Sequence, residues 1–272
     1  LLANLSSAPI ALSKKFLPDG DGKGSDNSLG LMTRLGAKTV VAATVRAVQL
    51  LGRQFVLGQT MTEALRQADG QRGSDQHGRG LRFSYDMLGE GARAEADAQR
   101  YLASYTDAIQ SIANKAANAA ETPQNDGISI KLSALHPRYE HTQHARVMTE
   151  LVPRVWGLCE LAAKANINLT IDAEEVDRLE LSLEVLEALL VKVAAHCPQW
   201  AGLGLAMQAY QTRALELIEH VTALARKYQI KLMCRLVKGA YWDAEVKRAQ
   251  ELGLPHYPVF THKHHTDVSY LA

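Results

Sequence analysis

The chain is short of the features that would assign it to an oxidising compartment, a nucleic acid or a membrane. Its 272 residues contain three cysteines, Cys159, Cys197 and Cys234. They are widely spaced, odd in number and form no C-x-x-C pair, so neither a disulfide framework nor a zinc site is expected and the thiols read as reduced. No sign of charge dominates, with 30 Lys and Arg against 29 Asp and Glu. That balance argues against a general nucleic-acid binder or a polybasic membrane anchor and favours a small-molecule substrate. No window reaches the roughly 18 to 20 apolar residues of a spanning helix. The start, Leu1-Leu2-Ala3-Asn4-Leu5, lacks the basic flank and long apolar stretch of a signal peptide. A cytoplasmic protein is expected, at most peripheral at the inner membrane face. The first residue is Leu rather than Met, and a piece of a longer chain is expected.

With 47% hydrophobic residues the chain can bury a large core. Its organisation is read as an N-terminal segment and linker over 1–30, a helical lead-in over 31–78 and a catalytic region over 79–272. The linker contains the Gly/Asp/Ser-rich run 18–28, where Asp19-x-Asp21-x-Lys23-Gly24 is a poor calcium loop: Lys23 takes a ligand position and no Glu closes it. Helices are expected on either side of a break at Leu57-Gly58-Gln59-Thr60, followed by a loop over 69–80. Beyond it short apolar strands alternate with helices. The expected strands are 81–87, 127–132, 167–171, 202–207 and 230–237. Helices between them carry Tyr101, Tyr105, Ile109 and Ile112 on one face, Pro153 in a first turn, and a line of Leu179, Leu183, Leu186, Leu190 and Val193. Such βα units imply a parallel sheet covered by helices.

Polar residues recur just after each apolar run: Asp86 and Glu90, Lys131, Asp172 and Glu174, Gln208 and Tyr210, then Arg235, Lys238 and Tyr241. In a barrel these strand ends meet at one mouth, whereas an open sheet would spread them. The first βα turn, Met87-Leu88-Gly89-Glu90-Gly91, is no G-x-G-x-x-G phosphate cradle, so a dinucleotide-binding open sheet lacks its signature. A lone Asp or Lys at a strand end has a plainer reading as a helix cap or surface ion pair, and Lys131 and Asp172 could simply be a buried pair. Arg235 follows an apolar run on what reads as a central strand, and its guanidinium there requires an acceptor.

Several strings, in order, resemble the strand ends of proline dehydrogenases of the bifunctional proline utilisation type. They are Phe83-Ser84-Tyr85-Asp86-Met87-Leu88-Gly89-Glu90, the run from Gly127 to Tyr139 with Lys131 at its centre, Thr170-Ile171-Asp172-Ala173-Glu174-Glu175, Gln208-Ala209-Tyr210-Gln211, and Arg235-Leu236-Val237-Lys238-Gly239-Ala240-Tyr241-Trp242-Asp243. The resemblance implies an α/β fold, a (β/α)8-type barrel, cut off here after about five βα units and preceded by the helical lead-in. It implies non-covalent FAD, oxidation of L-proline to Δ1-pyrroline-5-carboxylate by hydride transfer to flavin N5, and quinone as electron acceptor. A homo-oligomer and peripheral membrane contact are left open, and no nucleic acid is implied.

By the same resemblance Arg235 and Asp172 belong to the catalytic centre, with Arg235 beside flavin N5. Lys131 would pair with the substrate carboxylate and Tyr241 would pack on the proline ring. Gln208, Arg235, Val237, Lys238, Gly239, Ala240, Trp242, Thr261 and Lys263 would hold FAD. Two departures stand out. Relatives commonly have Arg in the place of His262 and Tyr in the place of His265. The cluster His262, His264 and His265 has no carboxylate or cysteine to complete a metal site, so no metal is expected. The chain also reads as ending early in the helix after the fifth strand, without the paired arginines that clamp the substrate carboxylate in the family. The alternative to an enzyme is therefore a catalytically incomplete barrel fragment. An unrelated barrel enzyme acting on a phosphorylated substrate would bind no flavin.

Overall fold

The structure is a computed structural model that describes residues 56–74, 80–115 and 121–272, with isolated helical positions between 39 and 52. The expected linker and its calcium-like spacing lie outside the described residues. Two compact units divide between Gln71 and Arg72.

Helix α1, Met61–Ser74, starts where the break was expected. Thr60 Oγ1 accepts the Glu63 N–H at 3.2 Å, and Glu63 reaches back to the Gln59 N–H at 3.0 Å, which satisfies donors a helix start leaves open. The loop expected from residue 69 is corrected, because α1 runs on through Gly70 and Gly73 to Ser74. Two glycines cost about 1 kcal/mol each in a helix interior. Against that cost, Arg72 in the last turn forms an ion pair with Asp126 and donates to the Leu81 carbonyl at 3.3 Å.

The second unit is built on five parallel strands, β1 Ser84–Asp86, β2 Gly127–Ile130, β3 Asn168–Ile171, β4 Leu203–Gln208 and β5 Met233–Val237. Their order in the sheet is their order in the chain. That order decides between the two architectures: a doubly wound sheet reverses direction at a switch point, whereas a (β/α)8 barrel adds strands in sequence. The fold is a parallel α/β sheet of barrel type. Every residue of β2, β3 and β4 is buried, which is why these strands read as near-continuous apolar runs.

Helix α2, Glu95–Lys115, buries Tyr105, Ile109 and Ile112 of its expected face, while Tyr101 is half-buried. Of the other two helix readings, the first holds and the second needs correction. Pro153 lies in the first turn of α3, Val152–Lys164, as expected, and the chain enters that helix through a short helical turn at His144–Arg146 and a π turn at Val147–Leu151. Proline cannot donate to the carbonyl four residues back, and a wider turn just before it accommodates the missing bond. In α4, Leu179–His196, the fully buried set is Leu181, Val185, Leu186, Leu189, Leu190 and Val193. Leu179 and Leu183 are only half-buried, so the buried stripe is rotated from the expected one.

After β4 comes α5, Ala214–Tyr228, and after β5 two helices rather than one, α6 Trp242–Glu251 and α7 Lys263–Leu271. Ala272 thus follows a second helix, not the beginning of a first. Arg235 does not lie on a central strand either. Strand β5 ends the sheet among the described residues, and Cys234 on its outer side is exposed.

Candidate active site

Strand register builds the site. Side chains alternate between the faces of a strand, so Ser84 and Asp86 share a face of β1, Ser129 shares one with Lys131, and Arg235 one with Val237. Asp86 pairs with Ser129, and Ala206 pairs with Arg235. Asp172 follows Ile171, which pairs with Leu205, and so lies beside Ala206. Asp172 and Arg235 are therefore separated only by the methyl group of Ala206, and they meet across it as an ion pair through Asp172 Oδ1 and Arg235 Nη2. The other carboxylate oxygen, Oδ2, receives Lys131 Nζ at 2.8 Å. Lys131 Nζ also reaches both oxygens of Asp86 at 3.2 Å, and Arg235 Nη1 donates to Ser129 Oγ at 2.8 Å.

Asp172 is therefore the hub, one carboxylate serving two cations. Its side chain is 10% exposed against 53% for Asp86, so the Asp172 contacts are protected from water while those of Asp86 are at the rim. Burial alone would lower the pKa of Lys131, but the hydrogen bond and charge of Asp172, with those of Asp86, outweigh it and raise it above its ordinary value. Beneath it, the Lys131 N–H donates to the Tyr105 hydroxyl at 3.2 Å, and burial pushes that phenol up to about 12, so it stays neutral.

Replacing Ala206, which is 4% exposed, tests this packing. Ala206→Leu should separate Asp172 from Arg235 and cost about 1–3 kcal/mol, the usual range for overpacking. Chemical denaturation would measure the loss, and Ala206→Gly should leave the pair intact.

Glu174 supports the site from behind. Its carboxylate accepts the Ser133 N–H at 3.0 Å and pairs with Arg178 at 3.1 Å, and its carbonyl accepts Gln208 Nε2 at 2.8 Å. Burial raises its pKa, opposed by the bonds from Ser133 and the charge of Arg178. A carboxyl that holds its proton more tightly when folded lends stability that is complete below its unfolded value near 4.5 and is lost as pH rises through the folded value. Relative to the parent, Glu174→Gln should therefore melt progressively higher as pH is raised from about 4 to about 7.

The remaining predicted residues form an outer strip. Gln208 is 1% exposed and uses both ends of its amide, Nε2 on Glu174 and Oε1 on the Ala240 N–H at 3.0 Å. Gly239 has φ +140°, and a Cβ built there would fall within the Tyr210 ring. Lys238, Gly239, Ala240, Thr261 and Lys263 are exposed, while Val237 is half-buried. Trp242 is 42% exposed, yet its indole N–H is fixed on the Phe260 carbonyl at 2.9 Å. Lys238 and Lys263 share Asp267, Lys263 at 2.6 Å. Tyr241 donates to Glu90 at 3.2 Å. The rings of His262, His264 and His265 pack together, with His264 and His265 centred 4.2 Å apart. Sequence reasoning passed over Ser84, Ser129 and Ala206. Strand alternation could have found both serines, each two residues before a charged residue already singled out.

Residues 70–272 match the sequence profile of the proline dehydrogenase family. The chain belongs to that family. It is 51% identical over 226 residues to the Bifunctional protein PutA of Klebsiella aerogenes, a match covering 83% of this chain and 17% of the relative. A mutant form of Bradyrhizobium japonicum Proline Utilization A superimposes with a TM-score of 0.73 at 50% identity, over 94% of this chain and 25% of that one. Proline utilization A from Bdellovibrio bacteriovorus, solved after inactivation by N-propargylglycine, gives 0.74 at 26% identity, over 89% of this chain and 25% of that one. The chain thus spans less than a fifth of the length of the Klebsiella relative. Among the described residues, no helix is long and apolar enough to cross a membrane.

Proposed function

We propose that residues 79–272 provide the proline-oxidising site of a flavoprotein, converting L-proline to Δ1-pyrroline-5-carboxylate with non-covalently bound FAD and passing the electrons to quinone. The observation that carries this reading is the Asp172–Arg235 pair on the inner face, beside an outer strip open to close approach. The residues of the strip suit the cofactor. Gly239 and Ala240 present backbone with little side chain, Trp242 offers a flat face on a fixed ring, and Lys238 and Lys263 supply two cations against one Asp267. Gln208 would act from below, positioning the Ala240 N–H, and Val237 and Thr261 would border the ring and its tail. When bound, FAD would supply the acceptor for the hydride, and with it the two electrons, removed from proline C5, the proline nitrogen losing a proton.

The chain's own groups do the binding and the electrostatics. Arg235 keeps a fixed positive charge at the inner edge of the strip, where it favours negative charge accumulating on an adjacent ring. Asp172 orients Arg235 and Lys131 together. Lys131 is the group for the substrate carboxylate, and the incoming carboxylate replaces Asp86: those contacts are longer and solvent-exposed, while the buried bond to Asp172 is kept. Tyr241, whose hydroxyl is held by Glu90, would cover the proline ring.

The purified chain mixed with FAD is expected to retain a flavin spectrum that bleaches on addition of L-proline and recovers with a soluble quinone. N-Propargylglycine, which inactivates the Bdellovibrio relative, should abolish the bleaching. A colourless protein inert to proline would instead support the incomplete-fragment reading.

A further inference from the structure

Ser129 stands out as a fully buried hydroxyl, 0% exposed, between Ile128 and Ile130 on a strand with every residue buried. A buried hydroxyl is unfavourable unless it is bonded, and alanine would fill this position without that cost. Its bonds point to its use. Ser129 Oγ accepts Arg235 Nη1 at 2.8 Å. Ser84 Oγ lies 3.0 Å away on β1, within hydrogen-bonding distance for either hydroxyl to donate to the other, and Ser84 is exposed. Asp172 takes the other terminal nitrogen of the same guanidinium. A guanidinium held at one nitrogen can swing about that contact, while one held at both has a fixed plane.

We propose that Ser129 is a positioning residue for the reaction: its hydroxyl, oriented by Ser84, fixes the plane of the Arg235 guanidinium whose charge Asp172 balances. The functional half of this inference rests on the proline-oxidising reading. The geometric half does not.

Arginine-selective nitrogen NMR of the full chain without cofactor tests the geometry. The parent should show separate, slowly exchanging Nη signals for Arg235, Ser129→Ala should merge them, and Ser129→Thr should restore them. Ser84→Ala, a change at an exposed position, should broaden them and provides a second variant if Ser129→Ala fails to fold. Unchanged Nη signals in folded Ser129→Ala, or in Ser84→Ala should the former not fold, would overturn the proposal. With FAD bound, Ser129→Ala should reduce kcat for proline about tenfold, the scale of one hydrogen bond to a charged group, while KM moves less than about threefold. The flavin midpoint potential should become more negative, and Ser129→Thr should recover both. Merged Nη signals with unaltered kcat and potential would overturn the functional half. Failure of the parent to take up flavin would count against the proposed reaction, and the NMR result would still decide the role of Ser129 in holding Arg235.

Discussion

Replacing Asp172 with alanine is expected to abolish proline-dependent flavin reduction and to destabilise the fold by about 3 kcal/mol. The size follows from what is left behind. Lys131, with a side chain 15% exposed, and Arg235, 40% exposed, would face each other across an empty position, and removing one partner of a buried pair typically costs about 3–5 kcal/mol. The lower end applies because Arg235 is partly hydrated and Asp86 still holds Lys131. Activity should fall at least 100-fold, the scale for losing a preorganised electrostatic contact. Lys131→Met in the Asp172→Ala background should recover much of the stability and none of the activity. Urea unfolding of the two variants, with flavin bleaching alongside, separates the two effects. Equal stabilities for Asp172→Ala and the parent would show that the hub carries no structural weight.

The second large effect is expected from Gly239→Ala. The φ of +140° is strained for any side chain, and the new methyl group would occupy the space of the Tyr210 ring. Tyr210 cannot easily retreat, being 2% exposed. The strip itself is exposed, so it should lift away, breaking the Ala240 N–H bond to Gln208 and the Tyr210 N–H bond to the Lys238 carbonyl at 2.8 Å. Two such bonds, at about 1 kcal/mol each, set a stability loss of roughly 2–3 kcal/mol including backbone strain. On the proposed reading the loss of FAD affinity is greater, at least about 30-fold, because the contact surface moves as a unit. Flavin retention after gel filtration, compared with thermal melting, would reveal this. A variant that loses stability but keeps its flavin would remove the strip from the cofactor site.

Much of this architecture was readable in the residues themselves. Strands β2 to β4 are buried on both faces, so their apolar runs stand out against helical periodicity, and all five strands overlap their expected segments, with ends that differ by up to three residues. Charged residues placed just after those runs marked the mouth. What misled was local composition overridden by tertiary contacts: a loop was expected from residue 69, but Arg72 fixes the helix end on Asp126 and the Leu81 carbonyl. Pro153 marked the first turn of α3 correctly, whereas the π turn before it has no composition of its own. Arg235 was read as central because its flanking residues are apolar, a pattern that does not reveal which strands lie on either side. Ser129 and Ala206 were passed over because neither is charged, and their importance comes from register, which links residues far apart in the chain.

That distance sets an order of events in folding. The Arg235–Ser129 bond joins residues 106 apart and the Tyr241–Glu90 bond joins residues 151 apart, whereas each strand pairs with its immediate successor. Chain-closure entropy makes the longest loops slowest to close, so pairing should proceed strand by strand and the bridges across the mouth should form last. Upon refolding, helical circular dichroism should return well before the capacity to reduce flavin. Upon mild heating, that capacity should be the first property lost.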